Sequence, residues 1–393
     1  MEPMQGIRII DVTTNASGPM ATGMLADQGA DVIRFETVGA GDPARQVGGV
    51  RGGMSAYFAY MNRNKRSMAV DLKNASLRPA LYKLIESSDV FVQNSRPGAL
   101  DRAGYGYADL HRINPSLIYV SISGFGATGP AAHQRVYDPI IQSVAGFAAA
   151  QGVGGDPVLM KTIASDKVAA LTAAQAISAA LFARARGTVG GHHVELAMLD
   201  ASLAFLWPEV FWNHSHVGAE GFTPKPLIAS FYELLATTDG FITMIIVGDG
   251  EFAGACRVLG LEHLLHDARF TSLTLRFANY AQMLVEFKAA AKKFTALDLV
   301  AQLEQADVPC AKVNRLEEVA DDPRVQANHS VIEYDHPLGG RMRQARAPAI
   351  FAGEALGIRR PAPALGEHTE ELLGAVGCSV EDLAQWRAVG AIG

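Results

Sequence analysis

The first 36 residues constrain the fold more than any other stretch, because they alternate between strand and helix patterns. The segment "GIRIIDVT" at 6–13 is a short β-rich run, and "ADVIRFE" at 30–36 is a second one. Between them, "GPMATGMLADQG" at 18–29 has helical spacing that places Met20, Met24 and Leu25 on one face. The apolar residues of both runs predict parallel strands that are buried on two faces.

The same alternation continues beyond this unit. Further strands are predicted at 67–72, 89–94 and 117–124, with helices at 77–88 and 107–114 between them. A strand–helix alternation of this kind predicts an α/β fold with a doubly wound, Rossmann-like parallel sheet and helices on both of its faces.

A chain of 393 residues is long for a single core, so we expect more than one domain. A second run of strand and helix patterns at 239–313 predicts a smaller α/β domain, and a proline-rich connection at 360–373 ends in a helix. We therefore predict that 1–200 and 321–393 build a large domain, with a linker at 201–224 and a small domain at 225–320.

Composition excludes several classes of function. A net charge of −6 argues against nucleic-acid or anionic-membrane binding as a bulk property. No apolar run reaches the ~20 residues of a membrane span. The three cysteines are far apart, without CxxC spacing, which predicts a reducing, cytoplasmic setting. His192 and His193 are adjacent, so they point to opposite faces of a strand and predict no metal site.

The first strand-to-helix turn resembles a dinucleotide site but lacks its phosphate-binding glycines. The loop carries only Gly18 and Gly23 instead of GxGxxG, although Glu36 ends the second strand where a ribose-binding acid is often found. A plain turn with Asn15 or Ser17 capping the helix is favoured, and no nicotinamide cofactor is expected.

Two segments carry the cations that an anionic ligand needs. The stretch 61–74 holds four basic residues against one acid, which fits either a solvated charge run or a phosphate-binding edge. The loop at 93–104 follows a strand and carries Asn94, Arg96 and Arg102. Ligands of doubly wound folds bind at the carboxyl ends of strands, so this loop is a candidate for anion contact.

Asp166 stands at the head of a long apolar helix, within "TIASDKVAALTAAQAI". An aspartate there is a common helix N-cap and is favoured by the helix dipole. A carboxylate held in this way stays ionised, and it can attack an activated acyl group, so the two interpretations are compatible.

Taken in order, these motifs resemble the family III CoA-transferases over essentially the whole chain. The matching segments include "NRNKRSMAVDLK", "VQNSRPGALDRAGYGY", "INPSLIYVSISGFGATGP", "YDPIIQSVAGFAAAQG", "GGHHVELAMLDA" and "LGEHTEELL". The resemblance implies that Asp166 is a nucleophile that passes through a mixed anhydride and an aspartyl-CoA thioester. It also implies an interlocked homodimer with acyl-CoA and a small carboxylic acid as substrates.

The resemblance further implies CoA-binding positions: Ala16, Ser17, Val70, Asp71, Leu72, Lys73, Asn94, Ser95, Arg96, Arg102, Arg135, Val136 and Tyr137. Ala16 departs from the glutamine of formyl-CoA transferase, and the glycine-rich lid of that enzyme has no clear counterpart. The first departure argues against a side-chain contact at Ala16, and the second argues against an oxalate and formate substrate pair.

Two alternatives stay open at this point. The related α-methylacyl-CoA racemases pair the aspartate with a histidine in a GHD motif, where this chain reads "VYD" with Tyr137. A neutral tyrosine is a poor base, although His133 lies close in sequence. A protein that binds acyl-CoA without turnover is the other alternative.

Overall fold

The computed structural model describes residues 1–152, 155–218 and 220–393. Contacts within the chain define two compact units, one formed by Met1–Pro208 with His329–Gly393 and the other by Glu209–Asn328. The N-terminal part of the first unit contains the strands β1 Arg8–Asp11, β2 Asp31–Glu36, β3 Val50–Arg51, β4 Met54–Ser55, β5 Lys65–Ala69, β6 Val90–Gln93, β7 Ile118–Ser123 and β8 His193–Ala197. Its helices are α1 Ser17–Asp27, α2 Ala56–Asn62, α3 Arg78–Glu86, α4 Ala99–Ala103, α5 Tyr107–Ile113, α6 Asp138–Ala145, α7 Phe147–Ala150, α8 Ala164–Ala185 and α9 Met198–Val210.

Six of these strands form one parallel sheet in the order β5-β2-β1-β6-β7-β8. The prediction of an α/β fold with a parallel sheet is therefore confirmed. The chain order reverses between β1 and β6, and in open α/β sheets this reversal is where ligands bind at the carboxyl ends of the strands. The loops after β1 and β6 meet there, because Thr14 donates its N–H to Asn94 Oδ1 at 2.9 Å and accepts a bond from Asn94 Nδ2 at 2.8 Å.

Helix α8 is the longest helix of this unit and packs against α1, α6, β7 and β8. By length and composition it is the one helix among the described residues that qualifies as a candidate membrane span, which the sequence analysis did not anticipate. Its buried face carries Val168, Ala169, Ala173 and Ile177, so it is a core helix of the sheet.

The second unit is built around a three-stranded antiparallel sheet. Its strands are β9 Leu235–Ala236, β10 Phe241–Met244 and β11 Cys310–Lys312, in the order β11-β10-β9. Its helices are α10 Asp249–Leu259, α11 Leu273–Ala278, α12 Tyr280–Ala291, α13 Ala296–Gln305 and α14 Pro323–Ala327. A separate apolar core that includes Ile242, Phe252, Phe270 and Leu299 holds these elements together.

The C-terminal segment returns to the first unit. It contributes the hairpin β12 Val331–His336 and β13 Gly340–Ala345, the short pair β14 Ile350–Phe351 and β15 Glu354–Ala355, and the helices α15 Thr369–Ala375 and α16 Val380–Ala388. Leu372 and Leu373 of α15 enter the same apolar cluster as Ile10, Phe91 and Tyr119 of the sheet.

We predict that Leu373→Ala destabilises the protein by about 2–5 kcal/mol, because Leu373 is 0% exposed and its loss leaves a cavity against the sheet. Val380→Ala in α16 is the matched control, since Val380 is 77% exposed and its loss should change the free energy of unfolding by less than about 0.5 kcal/mol. Urea denaturation followed by circular dichroism measures both. Equal stability of the two variants would contradict this packing of α15.

Candidate active site

Asp166 lies in the first turn of α8, three residues after the N-cap position. The N-cap is Ile163, which makes no side-chain capping bond, so the interpretation of Asp166 as the N-cap is wrong. The Asp166 N–H donates to Asp138 Oδ1 at 3.0 Å, which leaves the Asp166 carboxyl group free to face other partners.

Helix α6 fixes the segment that leads into α8. Asp138 is its first residue, and Gln142 one turn later donates to Asp138 Oδ2 at 2.6 Å and to the Thr162 carbonyl at 2.9 Å. Gln142 Oε1 also accepts the Met160 N–H at 2.9 Å. Helix α6 therefore bonds both to the segment that precedes α8 and to the first turn of α8. The sequence analysis missed Asp138 and Gln142, although their spacing of four residues within "YDPIIQ" puts both on one helical face.

The Asp166 carboxyl group sits in an unfavourable place for a negative charge. Its pKa is raised from 3.8 to about 6, because burial and then the nearby Asp138 carboxylate raise it by more than the hydrogen bonds from the Ser17 hydroxyl and backbone N–H lower it. Tyr57 of α2 is close enough to feel the same charges. Burial, then Asp166, Asp42 and Asp138, raise the pKa of the Tyr57 hydroxyl to about 12.

Ser17 opens α1, at the end of the loop that follows β1. The helix has Ala16 as its N-cap, without a side-chain capping bond, so the predicted cap by Asn15 or Ser17 is wrong. A Cβ on Gly18 would lie 2.3 Å from the Thr13 side chain, so only glycine lets the loop fold back this closely. Ala16 itself is 3% exposed and belongs to an apolar cluster, where its side chain is unavailable to a ligand.

A cleft of about 300 Å³ opens beside Ser17 at the carboxyl ends of the strands. A Cβ on Gly124 would lie 2.4 Å from the Val136 side chain, so this glycine lets two loops of the cleft wall touch. The predicted CoA-binding residues in its wall are Ser17, Asn94, Ser95, Arg96, Arg135, Val136 and Tyr137. Seven positions that are scattered over 121 residues of sequence thus line one space.

A second cleft of about 350 Å³ lies on the other side of Ser95, which lines both. Its wall includes Thr37, Gly41 and the α4 residues Ala99 and Leu100. The predicted CoA-binding residues that line it are Val70, Asp71, Leu72, Lys73 and Ser95. Within the described residues, Ala16 and Arg102 are the two predicted contacts outside both clefts, and Arg102 is an exposed residue of α4.

Most of the basic run at 61–74 is structural. Arg63 pairs with Asp27, Lys65 with Asp11, and Arg66 with Asp31, at distances of 2.6–3.0 Å. Of its four cations, Lys73 lines one of the two clefts described above, so the phosphate-edge interpretation is kept for that residue.

The other candidate residues lie elsewhere or have internal partners. Glu36 is buried, and it accepts hydrogen bonds from Arg45 and Ser67, which contradicts a ribose-binding role. His133 is exposed and outside the walls of both clefts in the described chain. His193 Nε2 lies 2.8 Å from Ser121 Oγ. The described residues contain no group of three His, Cys, Asp or Glu side chains that would hold a metal.

The arrangement thus combines a carboxylate of raised pKa with a nearby cleft whose wall carries cations. A carboxylate with a pKa near 6 is ionised at neutral pH, and it is a better nucleophile or base than an ordinary aspartate.

Comparison with known proteins decides the family. The model for CoA-transferase family III matches residues 4–369. The chain belongs to the family III CoA-transferases. This membership confirms the resemblance seen in the sequence and supports CoA transfer in general as the activity.

Individual relatives align with this chain over nearly its whole length. A succinate–glutarate CoA-transferase of Agrobacterium fabrum is 33% identical over 94% of this chain and 95% of its own. An acetyl-CoA:oxalate CoA-transferase of Acetobacter aceti is 33% identical over 93% of each chain. The crystal structure of a CaiB/BaiF family protein from Brucella suis superposes with a TM-score of 0.83 at 30% identity, covering 95% of this chain and 99% of that one.

We predict that Asp166→Asn raises the melting temperature by a few degrees at pH 7.5, because the substitution removes a buried charge beside Asp138. The folded-state pKa lies above 3.8, so folding takes up a proton between about pH 4 and pH 6, and wild-type stability falls relative to the variant as the pH rises through that window. Differential scanning calorimetry measures both effects.

The matched control for this measurement is Asp335→Asn, whose carboxylate is 80% exposed. It should leave the melting temperature nearly unchanged. A lower melting temperature for Asp166→Asn would contradict the electrostatic description of the site.

Proposed function

We propose that the protein transfers CoA from an acyl-CoA donor to a carboxylic acid acceptor through covalent intermediates on Asp166. The single observation that supports this most strongly is the contact between Asp166 and Ser17, because Ser17 lines the cleft at the reversal point of the sheet. Asp166 is not itself in the cleft wall, so we infer that a thioester bound in the cleft approaches the carboxylate past Ser17.

The exchange runs in four balanced steps. An Asp166 oxygen attacks the donor thioester carbonyl, and the C–S bond breaks to give a mixed anhydride and CoA thiolate. The thiolate attacks the Asp166 carbonyl and releases the donor as a carboxylate, which leaves an aspartyl-CoA thioester. The acceptor carboxylate attacks that thioester to form a second anhydride and free the thiolate again. The thiolate then attacks the acceptor carbonyl, which forms the new acyl-CoA and regenerates Asp166.

The environment of Asp166 suits these steps. Burial and Asp138 raise its basicity, while the Ser17 donors keep it ionised and oriented at neutral pH. Tyr57 keeps its proton, since its pKa lies near 12, and it is therefore a neutral hydrogen-bond donor beside the carboxylate. Low exposure of the carboxyl group limits hydrolysis of the anhydride and the thioester by water.

The two clefts suggest how CoA lies along the molecule. We assign the adenosine end to the second cleft, at 70–73, and the pantetheine arm to the first, which ends at Ser17. Lys73, Arg96 and Arg135 supply positive charge for the phosphates of CoA on a chain whose net charge is −6. Arg102 is exposed beside Gly98, so we assign it at most an outer phosphate contact.

The acceptor is proposed to be a small carboxylic acid. The A. fabrum relative is named for succinate and glutarate, and the A. aceti relative for oxalate, so dicarboxylic acids are the first candidates to test. A mass-spectrometric screen of acetyl-CoA and succinyl-CoA against glutarate, oxalate and longer acids identifies the pair. Against a racemase, Tyr137 is exposed where a histidine base is needed, and His133 lies outside the clefts.

We also propose that the protein works as an interlocked homodimer in the cytoplasm, without metal or nicotinamide. Large apolar side chains are exposed on α8 and α9, among them Leu171 at 56%, Phe182 at 67% and Phe205 at 62%. A second copy that covers them would remove this apolar surface from water. Sedimentation analysis of the full chain tests the oligomeric state.

We predict that Asp166→Ala and Asp166→Asn lower the exchange rate by at least about 10³-fold while CoA binding persists, because the covalent route is lost and the cleft is kept. His133→Ala is the control, and it should retain exchange. Hydroxylamine added during turnover should convert Asp166 of the wild type into a hydroxamate that peptide mass spectrometry locates. Turnover that survives in both Asp166 variants would overturn the proposal, and proton exchange at Cα of a 2-methylacyl-CoA would favour the racemase.

We predict that Arg96→Ala raises the KM for acyl-CoA by roughly 10-fold or more with a smaller change in kcat, since Arg96 lines the first cleft and a hydrogen bond to a charged group is lost. Arg112→Ala is the matched control, because the Arg112 side chain is 75% exposed and pairs with the neighbouring carboxylate of Asp109. Steady-state kinetics with the screened donor measures both. Equal KM values would argue against the assigned path of CoA.

A further inference from the structure

The position of Ser17 depends on the loop 12–16, whose backbone is unusual. Asn15 has a φ of 65°, in the left-handed region, which asparagine enters more readily than other side-chain-bearing residues. Helix α1 has no capping side chain at its start, so nothing at the helix end itself fixes Ser17. The loop must be held from outside.

Three successive backbone N–H groups of the loop are held by side chains. The Thr13 N–H donates to Asp11 Oδ1 at 3.0 Å, and the Thr14 N–H donates to Asn94 Oδ1 at 2.9 Å. The Asn15 N–H donates to the Asp42 carboxylate, at 3.1 Å from Oδ2. Two of the three acceptors are therefore carboxylates, Asp11 and Asp42.

Both carboxylates are fully buried and share one guanidinium. Arg34 of β2 bonds to Asp11 Oδ2 at 3.2 Å and to Asp42 Oδ2, and all three side chains are 0% exposed. Asp11 and Arg34 are direct register partners in the sheet. The Asp42 N–H is itself held by Glu36 Oε2 at 3.2 Å. Strand β2 thus fixes the Asp42 carboxylate, which accepts the hydrogen bond from the Asn15 N–H.

The chain of charges continues into the next strand. Lys65 Nζ of β5 bonds to Asp11 Oδ2 at 3.0 Å, and also to the Pro19 carbonyl and Thr22 Oγ1 of α1 at 2.8 Å each. Buried ion networks of this kind are weak sources of stability, because desolvation offsets the attraction. They fix geometry well, since each charge is satisfied in only one arrangement.

We propose that Asp42, fixed by Arg34, is a positioning residue for Asp166: it holds the Asn15 N–H and so determines where Ser17 presents its two donors to the Asp166 carboxylate. Asp42 does not touch the reacting atoms in this account. The inference rests on the proposed role of Asp166 for its catalytic meaning, but the geometry it describes can be measured without turnover.

The test is the titration of Asp166 in the full-length chain. Amidation of Asp166 by a water-soluble carbodiimide and glycine ethyl ester, followed by peptide mass spectrometry across pH 4.5–8, reports the protonated fraction, in a window centred on about 6. Asp42→Asn puts an amide where three donors, the Asn15 N–H, the Ala44 N–H and the Arg34 guanidinium, meet a carboxylate, so Ser17 should shift. We expect the midpoint to move upward by about one pH unit, as the lowering effect of the Ser17 donors is lost.

Two variants at Asn15 provide a second test in case Asp42→Asn does not fold. Asn15→Ala disfavours the positive φ and should move the midpoint upward as well, whereas Asn15→Gly adopts that φ freely and should keep the wild-type midpoint. Asp27→Asn is the control for loss of a buried ion pair, since Asp27 binds Arg63 at the other end of α1. It should lower stability without moving the midpoint.

The outcomes separate the two proposals. An unchanged midpoint in folded Asp42→Asn, or equal midpoints for Asn15→Ala and Asn15→Gly, overturns the positioning role. A shifted midpoint together with exchange that survives Asp166→Asn overturns the covalent mechanism and leaves the positioning role intact. A shift in both the midpoint and the acid limb of the pH–rate profile supports the two together.

Discussion

The contact between the Asp166 carboxyl group and the first turn of α1 is the interaction on which the rest of this site depends. Asp138 holds the backbone of Asp166 and repels its charge, and Ser17 supplies the donors that keep that charge in place. The pKa of about 6 is the net result of burial, which raises it most, of Asp138, which raises it further, and of the Ser17 donors, which lower it. It gives a carboxylate that is ionised at neutral pH and more basic than a solvated one, which is the property that acyl transfer to a carboxylate requires.

The sheet explains why these groups meet. The strand order reverses between β1 and β6, so the loops that follow these two strands diverge to opposite sides and leave a crevice between them. Asn94 and Thr14 bond across that crevice, and Ser95 lines both of the clefts that open there. A buried charge chain from β5 through β1 to β2 then fixes the loop that ends at Ser17. The sheet therefore supplies both the space for a long ligand and the rigid frame behind Asp166.

Sequence patterns predicted the parallel sheet, because apolar strands that alternate with helices leave few other folds. They also singled out Asp166, since a lone carboxylate before an apolar helix is conspicuous. The partners of Asp166 were missed for a physical reason: Asp138 and Tyr57 lie 28 and 109 positions away from it, and only the folded chain brings these groups together. The basic run at 61–74 suggested a phosphate-binding edge, but Arg63 and Lys65 pair with acidic residues that are remote in sequence. Those pairs, too, become visible only in the folded chain.

The most direct measurement follows oxygen through the reaction. With an acceptor acid labelled with oxygen-18 in its carboxylate, the final attack of CoA thiolate on the acceptor carbonyl leaves the bridging oxygen on Asp166. After many turnovers, the peptide that contains Asp166 should carry one or two oxygen-18 atoms, and the peptide that contains Asp138 should carry none. Full turnover with no label in the Asp166 peptide would contradict the account.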